Sequence, residues 1–106
     1  MPLYLGRFKY SAEALKAMID NPQDRGAAAA QTAESLGCKL HGLWWAFGDY
    51  DGAFILEAPD NVTVVALSMA VGASGQISTE TTVLLDMDDA QEAMRRAATA
   101  TFRAPS

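Results

Sequence analysis

Trp44-Trp45-Ala46-Phe47-Gly48-Asp49-Tyr50-Asp51-Gly52-Ala53-Phe54-Ile55-Leu56-Glu57-Ala58-Pro59-Asp60 decides the architecture of this chain. Two apolar, aromatic or β-branched runs bracket an acidic, glycine-flanked cluster, and a proline-aspartate stop follows. Such a pattern predicts a β-hairpin. Helical patterns lie on both sides of it, so strands and helices must alternate along the chain.

Upstream, Leu3 to Tyr10 is short and rich in aromatics and predicts a first strand. Ser11 is placed to cap a helix over Ala12 to Asp20, whose apolar residues Ala14, Leu15, Met18 and Ile19 have helical spacing. Asn21-Pro22 interrupts it as a kink or brief loop. An alanine-rich helix resumes over Gln23 to Leu36, and Gly37 closes it where positive φ is needed. Cys38 to Phe47 predicts strand two, and Ala53 to Ala58 strand three. Downstream, Asp60 or Asn61 caps a helix reaching Gly72, with Val62, Val65, Ala66, Met69 and Ala70 in one stripe. Gln76 to Leu85, with its β-branched residues, predicts strand four. Asp86 or Asp88 caps a last helix over Asp89 to Thr101, and residues 102–106 are expected to fray.

The order is β-α-β-β-α-β with a C-terminal helix. It predicts an α+β, ferredoxin-like domain with a four-stranded antiparallel sheet and both main helices on one face. At 106 residues, one domain over 1–106 is expected. The other sheet face needs a cover, either the terminal helix or a second copy of the chain. Alternation puts Arg7, Lys39, His41, Trp45, Phe47, Glu57 and Glu80 on that face, an assignment that one bulge would invert. Two such faces closing on each other would form a dimeric barrel with a polar, aromatic-lined interior.

A formal net charge of -5 opposes nucleic acid and anionic membranes as partners. The eight basic residues are scattered along the chain. The single cysteine, Cys38, excludes an internal disulfide and reads as a small buried hydrophobe. No stretch has the make-up of a signal peptide or the length of a membrane span, and a cytoplasmic, bacterial protein is expected. No phosphate loop or nucleophile elbow is present, no metal set is evident, and no cofactor is expected.

Gly48-Asp49-Tyr50-Asp51 resembles the turn for which the GYD family of small, mostly bacterial proteins is named. Leu36-Gly37-Cys38-Lys39 is similar to that family's helix exit, Trp44-Trp45 to its aromatic strand, and Glu57-Ala58-Pro59-Asp60 to its strand exit. Gly75 to Thr81 resembles its fourth strand, and Asn21-Pro22 its proline break. Cys38 and Gly52 depart from the pattern. The resemblance implies the dimeric α/β barrel superfamily. Relatives on that fold include cofactor-independent monooxygenases, muconolactone-type isomerases, haem enzymes and ligand-sensing domains, and a shared fold does not dictate a chemistry.

The expectation is therefore a homodimer binding a small molecule, with an aromatic or lactone-like compound as the substrate of any oxygenation or isomerisation. His41 and Glu80 are the candidate proton-transfer residues. Trp45, Tyr50, Asp49 and Arg7 are the candidate substrate-binding residues. His41 could alternatively ligate a haem, or simply sit in the interface. The competing reading is a non-enzymatic structural, interaction or ligand-sensing module whose sheet face serves only assembly.

Overall fold

The computed structural model describes residues 1–106. Its elements run β1 (Leu3–Tyr10), α1 (Ala12–Asp20), α2 (Arg25–Ser35), β2 (Lys39–Trp45), β3 (Gly52–Glu57), α3 (Asn61–Gly72), β4 (Ile77–Leu84) and α4 (Met87–Ala97). The strands form one antiparallel sheet in the order β2-β3-β1-β4. This is the ferredoxin-like arrangement expected from the sequence.

Each helix starts where a side chain satisfies its free N–H groups. Ser11 accepts from Ala14, Asp24 from Gly26 and Ala27, Asp60 from Thr63, and Asp86 from Asp89. Two bounds differ from the sequence reading for this reason. The second helix begins after Asp24, and the last begins at Met87 because Asp86 is its cap. Gly37 ends the Ala-rich helix with φ +73°, a left-handed conformation that a side chain resists.

The core lies between the sheet and α1 to α3. Tyr4, Phe8 and Tyr10 of β1 alternate inward, and Tyr4 and Leu56 are each 1% exposed. The Tyr4 hydroxyl donates to Asn61 Oδ1 at 2.6 Å, tying the central strand to the first turn of α3. Cys38 is buried in the same cluster as a small apolar side chain. Burial, and secondarily the Asp60 carboxylate, push its thiol pKa up, which keeps it protonated and inert.

Two features depart from expectation, and a third bears on a choice the sequence left open. Between Leu40 and Gly42 the β2–β3 register shifts, so His41 is an extra residue in the edge strand. Parity inverts beyond it. Trp44 pairs with Ala53 on the open face, while Trp45 pairs with Gly52 on the helix face. Second, the stripe Val62, Val65 and Met69 of α3 points outward, and Val64, Leu67 and Val71 turn toward the sheet instead. Third, α4 buries none of its residues, so it does not cover the open face.

The resulting chain is unusually exposed. Only 11 of 106 residues are buried, and the accessible surface is 7667 Å². A compact monomer of this mass would show about 5,700 Å². The radius of gyration is 17.5 Å with extents of 58 × 35 × 22 Å, against about 13 Å for a compact domain of this length.

Candidate functional site

Two regions of the sheet hold chemistry, one on each face. On the open face, β1 and β4 place Arg7 opposite Glu80. The loop after β2 then brings Tyr50 over the pair. Asp51 causes this placement. Its backbone N–H donates to the Phe8 carbonyl at 2.8 Å, and its carboxylate accepts the Tyr10 N–H at 2.8 Å. Gly48, with φ +104°, lets the loop reverse sharply enough to arrive there. So pinned, the loop sets the Tyr50 hydroxyl to donate to Glu80 Oε2 and lays its ring 5.9 Å from the Arg7 guanidinium carbon. That separation is at the outer edge of a cation–π contact.

The Tyr50 hydroxyl is held above the usual tyrosine range. The hydrogen bond to Glu80 is the main cause, since a phenolate could not donate it. Partial burial and the charges of Glu80 and Asp49 act in the same direction, and Arg7 opposes them. Asp49 is exposed and makes no side-chain hydrogen bond, so its part in the cluster is purely electrostatic.

His41 belongs to a separate pair. Its Nε2 stands 3.2 Å from Glu57 Oε1 on the open face. Because β2 and β4 are the two edges of the sheet, three strand spacings, about 14 Å, divide His41 from Glu80. Within one chain, the two residues expected to transfer a proton cannot serve the same atom. Arg7, Glu80 and Tyr50 are brought together, and His41 is not with them.

Trp45 is also elsewhere. The bulge at His41 carries it to the helix face, where its ring lies 5.5 Å from that of Tyr10 and 6.4 Å from that of Phe8. The tryptophan on the open face is Trp44 instead, and its indole lies over Gly42 so closely that a Cβ there would overlap it. Phe47 is not on the sheet at all and projects fully into solvent from the loop.

The second region was missed in the sequence. Between the sheet and helices α2 and α3 lies a chamber of about 120 Å³. Its floor is Phe8, Leu40, Leu43 and Phe54, and its far wall is Val64, Leu67 and Val71 of α3. Ala29, Thr32 and Ala33 of α2 form the near wall, and Arg25 at the start of that helix also lines the space. A legible signal existed in the run Ala27 to Ala30 with Ala33. Short side chains hold a helix together by propensity but leave the space beneath it unfilled.

No group of three His, Cys, Asp or Glu side chains converges as a metal site would. No helix is long and apolar enough to cross a membrane. The GYD domain family matches residues 4–94, most of the chain and all of the sheet but Leu3, so the protein belongs to that family. No curated protein and no solved structure matches the chain.

Proposed function

We propose that this GYD-domain protein is a cytoplasmic homodimer that binds a small, mainly apolar molecule in the chamber between the sheet and helices α2 and α3. The carrying observation is the chamber itself: about 120 Å³ walled chiefly by aliphatic and aromatic side chains, in a molecule otherwise short of core. A cavity of about 150 Å³ with such walls holds benzene. The volume therefore suits one small ring or a short branched chain.

The open face supports the dimer. Leu3, Leu5, Ile55 and Trp44 form an apolar surface there, and two of them, Leu3 and Trp44, are exposed. Its acidic groups already have partners, Glu80 with Tyr50 and Glu57 with His41, so covering them would orphan neither carboxylate. The surplus surface, roughly 1,900 Å² beyond a compact monomer, is of the order that a stable interface removes. On this reading Arg7, Glu80, Tyr50, His41 and Glu57 chiefly align the two sheets.

A second reading keeps proton chemistry, a cofactor-independent oxygenation or isomerisation, at the open face. The Tyr50 to Glu80 hydrogen bond beside Arg7 favours it, because it couples a weak acid to a carboxylate base. His41 could join that cluster only from a second subunit.

Sedimentation equilibrium and a thermal-shift screen of small aromatic and aliphatic compounds test the proposal together. A dimer is expected, and Leu5→Asp should convert it to a folded monomer. Ligands that raise Tm should lose their effect in Ala29→Leu, which fills the chamber, and keep it in Glu80→Gln. A wild-type monomer would remove the dimer. Loss of the ligand effect in Glu80→Gln, with Ala29→Leu unaffected, would move the site to the open face.

A further inference from the structure

Arg25 is the only formally charged side chain lining the chamber. It also lines an adjoining recess of about 100 Å³ against α1, whose polar side chains besides Arg25 are Tyr10, Gln23 and Gln76. Tyr10, Arg25 and Ile77 are common to the two spaces, so Arg25 borders both. The chamber takes an apolar body, and the recess offers cationic and amide N–H donors to a polar end.

Arg25 is half-buried and makes no salt bridge. Its one side-chain hydrogen bond goes to a neutral acceptor, Gln23 Oε1 at 3.1 Å. The nearest carboxylate in sequence, Asp24, is engaged by the N–H groups of Gly26 and Ala27 at the start of α2. A half-buried guanidinium, one donor of which goes to Gln23, is thus left without an anion on a residue that lines an apolar space. Guanidinium pairs with a carboxylate in two parallel, charge-assisted hydrogen bonds, and does so more strongly where water is partly excluded.

We propose that the chamber's ligand is a small monocarboxylic acid, with its ring or branched chain in the chamber and its carboxylate on Arg25. This rests on the binding reading above and adds the chemical class of the guest. Neither space is large enough for a nucleotide or a lipid chain, and a dianion would find a single cation.

Titration calorimetry with benzoate and benzyl alcohol, a charged and a neutral probe of the same ring, decides it. Wild-type protein is expected to bind benzoate at least tenfold more tightly than the alcohol. Arg25→Gln should reduce benzoate to the level of the alcohol and leave the alcohol unchanged, while Arg25→Lys should recover part of the difference. An unaltered thermal melt establishes that each variant is folded. Equal binding of both probes by wild-type protein, or no effect of Arg25→Gln, overturns the carboxylate and leaves the chamber standing. Binding of neither probe removes the chamber reading and this inference with it.

Discussion

The two faces of the sheet are made from the same strands, yet only one is closed. In β1, Tyr4, Gly6, Phe8 and Tyr10 are buried under helices, while Leu3, Arg7 and Lys9 between them are exposed. The closed face is held by fit: the Phe54 ring lies over Gly6, and the Phe8 ring over Gly52, with no room for a Cβ at either glycine. The open face is held by charge and hydrogen bonding, in two clusters at opposite ends of the strand order. A face fixed by packing tolerates little change in volume. The open face pairs its carboxylates with Tyr50 and His41 but leaves Lys9 and Lys39 without a partner, so it is comfortable wet and a covering surface must meet those cations.

The neighbours Gly6 and Leu5 offer the sharpest way to break this contrast, since they share a strand and face opposite ways. Gly6→Ala pushes a methyl group into the Phe54 ring. Overpacking of this kind is expected to destabilise by about 2–3 kcal/mol, lowering Tm by roughly 10–20 °C. Leu5→Asp should dissociate the dimer, lower Tm only by the concentration-dependent stabilisation that association gave, and leave the closed face's packing intact. Equal losses of thermal stability in the two variants would mean that the faces are not energetically distinct.

Tyr4→Phe probes the closed face without changing its shape. It removes the hydrogen bond to Asn61 and nothing else. Urea denaturation should show a loss of about 1 kcal/mol, with an unchanged m-value. No loss would mean that α3 is held by its apolar contacts alone.

The smallest effect is a titration on the open face. Tyr50 is held protonated by Glu80, so its folded pKa lies above the unfolded one. The stabilisation this provides is complete below the ordinary tyrosine range and is lost as pH rises through the folded value. The difference in tyrosinate absorbance between wild-type protein and Tyr50→Phe should report a group ionising later than free tyrosine. Glu80→Gln should bring its midpoint back down. An unchanged midpoint in Glu80→Gln would place the cause outside this pair.

Much of the fold was legible because its signals are local. Ser11, Asp60 and Asp86 cap helices through their own side chains, and Gly37 ends one through its own φ, so a short window suffices to see them. The strand alternation in β1 and β3 also reads correctly, since nothing interrupts the period of two. The open-face grouping was legible in part: Glu80 beside Arg7 could be read from the strands, but Tyr50 as its hydrogen-bond donor could not, because it arrives from a loop.

By itself, then, the order of residues determined which segments are helix and which are strand, that they alternate as a split β-α-β pair, and that one sheet face would be left uncovered. Tertiary structure alone decided which tryptophan lies on that face, because a bulge at His41 is a choice between pairing partners that no local pattern encodes. It alone decided that α3 turns Val64 and not Val62 inward: α3 is apolar on every side, and only the neighbours it meets can choose a face. And it alone created the chamber, since empty space is a property of what surrounds it and belongs to no residue in the chain.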